Sequence, residues 1–185
     1  MICFMKMNRK IFLIGPKHSG KTSAGKKLAS IININFYDLD EVMETETGKS
    51  PRELYKEGIE KFKVAELNAL SGLLKKNENY AAAAGGGLID NQQAMALLKN
   101  ASDVILIYLE VSAGTAWKRI IDTAAGGELP AFLNKTDPKK SHFAIHERRA
   151  NLYREAAHLT IVAEGKNPEE LSAEIVSVIA VNVIT

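Results

Sequence analysis

Residues 15–22 read Gly-Pro-Lys-His-Ser-Gly-Lys-Thr and directly follow the apolar run Ile-Phe-Leu-Ile at 11–14. The octet has the pattern GxxxxGK[ST], in which backbone amides surround the phosphates of a nucleotide, the lysine reaches the β- and γ-phosphates, and the final hydroxyl binds Mg²⁺. A plain glycine turn with an exposed lysine is the alternative. The motif requires a strand before it and a helix after it, and the sequence offers both. The stretch therefore predicts a nucleotide-binding loop in an α/β fold.

Length and composition limit the kind of protein. The chain has 185 residues, 46% of them hydrophobic and 25% charged, which suits one compact domain over residues 1–185. The net charge of +2 and the scattered lysines argue against a nucleic-acid surface. No apolar run is long enough to cross a membrane, and the single cysteine, Cys3, suits a reducing compartment. We expect a cytoplasmic monomer whose partners are small molecules, with neither nucleic acid nor a membrane among them.

Short apolar segments alternate with amphipathic ones along the chain, which is the pattern of a parallel sheet with helices on both faces. We predict strands at 10–14, 33–37, 80–84, 104–109 and 159–162. We predict helices at 21–30, 39–47, 52–76, 91–99, 113–123, 141–157 and 168–183, with the third divided near Pro51 and Gly58. The predicted fold class is therefore α/β, with a five-stranded sheet in a P-loop domain.

The segment 124–140 does not follow this alternation. It contains Gly126, Gly127, Pro130 and Pro138 together with several lysines, and it joins two predicted helices. Such a composition is usual for an ordinary surface loop. Beside a phosphate-binding site, however, a loop of this kind often closes over the nucleotide and excludes water before transfer. We therefore predict a mobile lid at about 124–140.

Two further patterns follow predicted strands, at the edge where open α/β sheets bind their ligands. After the second strand, Asp38 and Asp40 form an Asp-x-Asp pair. One carboxylate can hold Mg²⁺ through water, and the other can accept hydrogen bonds from substrate hydroxyls or act as a general base. Capping of the next helix is their alternative role. Three glycines at 85–87 follow the third strand and give backbone amides free approach to a ligand, although a flexible turn has the same composition.

These patterns, in this order, resemble the shikimate kinases, a family of small P-loop kinases of the nucleoside-monophosphate-kinase type. The resemblance runs through nearly the whole chain. It rests on the loop at 15–22, the aspartates with the segment 44–50, Gly-Ile-Glu-Lys-Phe-Lys at 58–63, the glycines at 85–87 and Arg-Ala-Asn-Leu-Tyr-Arg at 149–154. It implies a Mg²⁺- and ATP-dependent kinase that phosphorylates the 3-hydroxyl of shikimate in aromatic amino-acid biosynthesis, with an acceptor-binding helical segment at about 38–76.

The resemblance also implies roles for individual residues. The catalytic residues would be Lys21 at the transferring phosphoryl group, Asp40 at the acceptor hydroxyl and Arg149 at the acceptor carboxylate. Thr22 would bind Mg²⁺ directly, and Asp38 would hold it through water. The nucleotide would be bound by Gly15, Lys17, Ser19, Gly20, Lys21, Thr22, Ser23, Arg119, Lys166, Asn167 and Pro168. The acceptor would be bound by Asp40, Phe62, Lys63, Gly85, Gly86, Gly87 and Arg149.

Two positions depart from the family pattern on the acceptor side. Lys63 stands where the family has a carboxylate-binding arginine, so that a point charge replaces a bidentate fork. Leu129 stands where a lid arginine bridges donor and acceptor. The candidates to replace that arginine are Lys135, Lys139, Lys140 and His142. Two alternatives therefore stay open: a kinase for another polyhydroxy acid such as a gluconate-like sugar acid, and a catalytically weakened ATP-binding paralogue.

Overall fold

The structure of the protein, a computed structural model, describes residues 9–124, 129–133 and 136–182. Cys3, Gly126, Gly127 and Lys135 lie outside these residues. The sheet contains five strands: β1 (Lys10–Ile14), β2 (Asn35–Asp38), β3 (Tyr80–Ala83), β4 (Val104–Glu110) and β5 (Leu159–Val162). The described residues form eight α-helices: α1 (Lys21–Ile32), α2 (Leu39–Thr47), α3 (Pro51–Glu57), α4 (Ile59–Leu74), α5 (Gln92–Asn100), α6 (Ala113–Thr123), α7 (Pro138–Ala156) and α8 (Pro168–Asn182). Two short 3₁₀ helices span Leu88–Asp90 and Ala131–Leu133.

The sheet is parallel throughout, with the strand order β2-β3-β1-β4-β5. All five residues of β1 are buried. Because successive side chains point to opposite sides of a sheet, both faces of this strand are covered. Phe12 and Ile14 join one apolar core, which lies against α2, α4, α5 and α7. Ile11 and Leu13 join the other, which lies against α1, α6 and α8. The predicted α/β fold class, with helices on both faces of a five-stranded parallel sheet, is confirmed.

The strand order places the candidate site. β1 has β3 on one side and β4 on the other, so the connections that leave these strands diverge at its carboxyl end. Open α/β sheets bind ligands in the crevice at such a point. The predicted phosphate loop occupies residues 15–20 there, between the end of β1 and the start of α1.

Two element boundaries that differ from the sequence prediction have a clear physical cause. Strand β2 begins at Asn35, because Asn33 has a left-handed backbone, with φ 55°, and ends α1 by donating its N–H to the Ala29 carbonyl. Helix α7 begins at Pro138, three residues before the predicted start. Asp137 caps it by accepting from the Lys140 N–H at 3.0 Å, and proline suits the first helical position. The end of the predicted lid is therefore helical.

The predicted division of the segment 52–76 is confirmed: α3 and α4 are separate helices, and Gly58, with φ 139°, lies between them. No helix in the described part of the chain has the length and apolar character needed to cross a membrane. That residues 1–185 form a single domain, with a lid and an acceptor-binding segment, stays a prediction.

Candidate active site

The phosphate loop holds a buried lysine between β1 and α1. Lys21 is 7% exposed, and its Nζ donates to the carbonyl oxygens of Gly15 at 3.0 Å and Pro16 at 2.7 Å. Burial lowers the pKa of Lys21 to about 8, although Asp40 and Asp38 act in the opposite direction. Since both hydrogen-bond acceptors are neutral, the charge of Lys21 is not cancelled by its direct partners. An anion in the loop would stabilise the protonated lysine.

A second group in the loop has unused hydrogen-bonding capacity. Ser19 is buried, and its N–H donates to the Pro16 carbonyl at 3.2 Å. Its Oγ has no hydrogen-bond partner among the described residues. A buried hydroxyl without a partner is uncommon in a native protein and is often satisfied by a ligand or water. The Ser19 hydroxyl therefore fits a loop that receives the oxygens of an anion.

Thr22 and Asp38 form the candidate metal pair. The Thr22 hydroxyl donates to Asp38 Oδ2 at 2.8 Å, and Asp38 Oδ1 accepts from the Asp40 N–H at 3.1 Å. Asp38 thus caps α2 and also lies next to the loop. Within the described ranges no group of three or more His, Cys, Asp or Glu side chains is placed to hold a metal. Mg²⁺ usually takes only one or two protein oxygens and completes its shell with phosphate oxygens and water, so this hydroxyl and carboxylate fit that ion.

A cavity of about 550 Å³ extends from the loop towards α6 and α8. Arg119 and Lys166 line it, and the Arg119 guanidinium donates to the His18 carbonyl at 2.9 Å. Lys166 also pairs with Glu174. The predicted site residues on this cavity are Lys17, Ser19, Gly20, Lys21, Thr22, Ser23, Asp38, Asp40, Gly85, Gly86, Arg119, Lys166 and Pro168. The fold therefore brings most of the predicted nucleotide-binding residues together.

Asn167 has a structural role that the sequence also suggests. Its Oδ1 accepts from the Glu170 N–H at 2.9 Å, and its own N–H donates to Glu170 Oε2 at 3.0 Å. This reciprocal pair caps α8. The side chain of Asn167 is thus engaged at the start of the helix, next to Pro168 on the rim of the cavity.

Two carboxyl groups lie close together beside Gly85, which lines the same cavity. A Cβ added to Gly85 would lie 3.0 Å from Asp40 Oδ1 and 3.4 Å from Glu66 Oε1. Burial and Asp38 raise the pKa of Asp40, while Lys21 and Lys17 act in the opposite direction. A carboxylate with a raised pKa is a better proton acceptor as long as it remains ionised. This environment suits the role predicted for Asp40.

Glu66 is a residue of this site that the sequence analysis missed. It is 1% exposed, its Oε2 accepts from Asn91 Nδ2 at 3.0 Å, and its Oε1 has no partner among the described residues. Burial raises its pKa to about 7, with smaller contributions from Asp40 and Asp90 in the same direction. The sequence did contain a signal for this residue, because Glu66 follows Phe62 by four positions and therefore lies on the same face of a helix.

Arg149 is paired with a carboxylate. Its Nε donates to Asp90 Oδ2 at 2.9 Å, its Nη2 lies 2.7 Å from the same oxygen, and its Nη1 donates to the Gly86 carbonyl at 3.1 Å. Arg148 binds the Asp90 carboxylate with two further hydrogen bonds of 2.7 and 2.9 Å. Burial raises the pKa of Asp90, but the two arginines outweigh it and leave the pKa below its ordinary value. Asp90 therefore stays ionised, and the two arginines share its single negative charge.

The predicted glycine turn joins the two ends of the site. A Cβ on Gly86 would lie 3.0 Å from the Lys17 amide nitrogen, so the turn after β3 packs directly on the phosphate loop. The Gly86 carbonyl also accepts from Tyr153 Oη at 2.6 Å. Gly87 lies beside Arg149, since its added Cβ would be 3.8 Å from Nη2. A shift of this turn would therefore move donor and acceptor groups together.

Phe62 and Lys63 lie on α4, next to this end. The Phe62 ring packs edge-on against Tyr55, with 5.9 Å between the ring centroids. Lys63 Nζ lies 3.7 Å from Glu60 Oε1, in a weak and partly exposed ion pair. Its carbonyl accepts from Asn91 Nδ2 at 2.9 Å. The lysine side chain thus has freedom to reach a ligand.

The described part of the predicted lid covers Arg149. Phe132 lies in the 3₁₀ helix, and its ring centroid is 5.8 Å from the Arg149 guanidinium carbon. Leu133 is buried. His142, a candidate to replace the lid arginine, is buried in α7, and its Nε2 lies 3.0 Å from the Ala113 carbonyl oxygen. Lys139 and Lys140 are exposed in the first turn of that helix, whereas Lys135 lies outside the described residues.

Comparison with known proteins gives one consistent family. A family model described as "Shikimate kinase" matches residues 17–180. A shikimate kinase from Rhodococcus jostii is 29% identical over 175 residues, or 94% of this chain and 99% of that protein. A shikimate kinase from Nitrosospira multiformis is 32% identical over 163 residues, or 88% of this chain and 80% of that protein.

The solved structures agree with the sequence relatives. The shikimate kinase from Acinetobacter baumannii in complex with shikimate has a TM-score of 0.85 to this chain at 28% identity, and the match covers 98% of this chain and 97% of the other. The residues matched by the family model, 17–180, include every predicted site residue except Gly15. The similarity therefore extends to both ends of the cavity.

Proposed function

The chain belongs to the shikimate kinase family, and we propose that it transfers the γ-phosphoryl group of ATP to the 3-hydroxyl of shikimate. One observation carries the proposal: Lys21 and Asp40 line the same cavity. A cation for the phosphoryl group and a carboxylate for the hydroxyl therefore border the same space, in which transfer would occur. Such positioning and charge stabilisation supply most of the catalysis of phosphoryl transfer.

The donor half uses the phosphate loop. Backbone N–H groups of the loop and the Ser19 hydroxyl bind phosphate oxygens, and Lys21 neutralises charge on the transferring group. Mg²⁺, when bound by the Thr22 hydroxyl and through water by Asp38, would neutralise further phosphate charge. Gly15, Lys17, Gly20 and Ser23 complete the phosphate side. Arg119, Lys166, Asn167 and Pro168 bind the nucleoside side.

The acceptor half orients a hydroxyl towards this phosphoryl group. Asp40 accepts the hydroxyl proton as the new oxygen–phosphorus bond forms and ADP leaves. Arg149 binds the acceptor carboxylate, with Lys63 as a second cation. Phe62 packs on the acceptor ring, and the backbone of Gly85, Gly86 and Gly87 contacts its polar groups. Because Asp90 already holds Arg149, the acceptor carboxylate must share this guanidinium.

We also propose a monomer that acts in the cytoplasm on small molecules, without nucleic acid or membrane partners. The net charge of +2 supports the absence of a nucleic-acid partner, because nucleic-acid-binding domains usually carry a strongly basic face. Light scattering at micromolar concentration measures the oligomeric state. A dimer would contradict this part of the proposal.

The activity is tested by measuring ADP release with shikimate and with gluconate-like sugar acids side by side. We expect turnover with shikimate and little with the sugar acids, because the acceptor half matches the family at Asp40 and Arg149. Turnover only with a sugar acid would favour the other polyhydroxy-acid kinase. A chain that binds ATP but turns over no acceptor until Leu129→Arg is introduced would be a weakened paralogue.

A further inference from the structure

One residue of the phosphate loop has an unusual backbone. His18 has φ 61°, in the left-handed region, and Asn33 is the other non-glycine residue with positive φ in the described part of the chain. Asn33 ends a helix, where this conformation is common. His18 lies inside the loop, where glycine would adopt the same conformation without strain. A side chain is thus present at a position that the backbone geometry favours for glycine.

The backbone of His18 is fixed by a residue from another element. Its carbonyl accepts from Arg119 Nη1 at 2.9 Å, and Arg119 lies on α6. The half-buried side chain lines the cavity of the proposed nucleotide site. The imidazole nitrogens have no hydrogen bond to another described residue. The imidazole of this cavity-lining residue therefore has unused hydrogen-bonding capacity.

The charges around the ring are positive. Burial lowers the pKa of the His18 imidazole, and Lys17, Lys21 and Arg119 lower it further. A polyphosphate in the cavity would reverse the sign of this environment, because its negative charge favours the protonated ring. Neutral imidazole would then become imidazolium, which donates hydrogen bonds from both nitrogens.

The remaining charged groups of the cavity come from other elements. Lys166 precedes α8, Asp38 ends β2 and Asp40 lies in the first turn of α2. Lys166 is paired with Glu174, and Asp38 with the Thr22 hydroxyl. Lys17, Lys21 and Arg119 are the charged groups that act on His18. A bound polyanion is therefore needed to favour its protonated form.

We propose that His18 is a further nucleotide-binding residue, whose imidazolium binds the phosphates of ATP so that nucleotide binding takes up a proton. The inference rests on the proposed function only in that it places ATP in this cavity. Linkage then requires that protonation strengthens ATP binding by the same factor by which ATP strengthens protonation. Affinity for ATP will therefore fall as the pH rises through the range in which His18 of the complex loses its proton.

The test is calorimetric titration of MgATP into the wild-type protein, His18→Asn and His18→Gly, without acceptor, between pH 6 and pH 8. Asparagine and glycine both tolerate the left-handed backbone, and neither titrates here. The titration of ATP itself is common to all three proteins and cancels in the comparison. Repeating each titration in two buffers of different ionisation enthalpy counts the protons taken up. Asn33→Gly, which relieves the same conformation outside the site, is the matched control.

We expect the wild type and Asn33→Gly to lose at least about fivefold more affinity between pH 6 and pH 8 than either His18 variant, and at most about 100-fold more, since one titrating group changes the affinity at most tenfold per pH unit. The wild type should also take up more protons. Equal pH dependence and equal proton uptake in the wild type and His18→Asn would overturn the inference while leaving the proposed function intact. A wild type that binds no ATP would overturn both.

Discussion

The donor and acceptor ends of the candidate site hold their cations in different ways. At the donor end, Lys21 and Arg119 donate to backbone carbonyl oxygens. At the acceptor end, Arg149 donates to the carboxylate of Asp90. Carbonyl oxygens have no net charge, so Lys21 and Arg119 keep their charge for a ligand, whereas Arg149 shares the negative charge of Asp90 with Arg148. The direct partners of Lys21 and Arg119 leave these two cations uncompensated, whereas the carboxylate of Asp90 partly compensates Arg149.

This difference indicates how affinity is distributed. A polyanion that binds Lys21 and Arg119 gains attraction without displacing a protein carboxylate from either of them, whereas Lys166 is paired with Glu174. An acid that enters the acceptor end must share Arg149 with Asp90 and lies near two further carboxyl groups, Asp40 and Glu66. Acceptor binding is therefore an exchange of ion pairs, which yields less net free energy and depends more on exact geometry. We expect the donor end to supply more of the binding free energy and the acceptor end to determine selectivity.

The largest effect should follow from removing the donor cation. Lys21→Met keeps an unbranched side chain of similar length but no charge, and kcat should fall on the order of 10³-fold because charge at the phosphoryl group is no longer stabilised. Steady-state ADP release measures it. The free energy of unfolding at pH 7 should not fall sharply, because burial already disfavours the charged lysine. A kcat within tenfold of the wild type would contradict the assignment.

The next effect concerns the acceptor hydroxyl. Asp40→Asn removes the proton acceptor but keeps the size of the side chain, so kcat should fall by about 10²-fold or more. ATP affinity, measured by calorimetry, should be retained, because the hydrogen bonds of Lys21 are to the loop itself. An unchanged kcat would mean that Asp40 does not take the proton.

Glu66 tests the acceptor end through stability. Its pKa is raised from 4.5 to about 7, so the folded protein binds more protons than the unfolded chain between these values, and stability falls as the pH rises through this range. Glu66→Gln should remove this loss. Its free energy of unfolding should match the wild type near pH 4.5 and exceed it above pH 7 by up to about 3 kcal/mol. Urea unfolding at both pH values checks this, and a constant difference across pH would refute it.

Replacement of Asp90 tests whether its carboxylate weakens the binding of the acceptor by Arg149. Asp90→Asn leaves a hydrogen-bond acceptor but restores the charge of Arg149, so KM for the acid acceptor should fall by about threefold to tenfold at low salt. Arg148→Gln is the control, because it leaves the Asp90 carboxylate on Arg149. A higher KM in Asp90→Asn would instead show that the carboxylate positions the guanidinium for its ligand.

The smallest effect should come from Lys63. Lys63→Arg supplies a planar fork that can bind a carboxylate through two hydrogen bonds, so KM for the acceptor should fall by about twofold to threefold. Lys61→Arg, on the exposed face of the same helix, controls for the substitution itself. No gain in Lys63→Arg would indicate that this position does not contact the acceptor.

Much of the donor end could be predicted from the sequence because its residues are close along the chain. Gly15, Lys21 and Thr22 lie within eight positions, and the preceding strand and following helix fix their arrangement. The start of α7 could also have been predicted, since Asp137 and Pro138 are typical of the beginning of a helix. It was missed because both residues lie in a segment with the composition of a loop. Asn33 was assigned to a strand because it lies in an apolar segment, although asparagine can end a helix in the left-handed conformation.

The acceptor end was only partly predictable, because its key contacts join distant elements. Asp90 and Arg149 are 59 positions apart, and no local pattern pairs them. Glu66 lies on α4, and only the packing of that helix beneath the glycine turn brings it close to Asp40. His142 was a candidate lid cation, yet its side chain is buried in α7.

The sequence by itself determined the α/β fold, the phosphate loop and the family, because each depends on short-range periodicity or on the order of local motifs. The tertiary structure decided which charges remain free for a ligand. It placed neutral carbonyls against Lys21, a carboxylate against Arg149 and three cations near His18. The physical reason is that charge and proton affinity depend on what surrounds a group within a few ångströms, and those neighbours come from all parts of the chain.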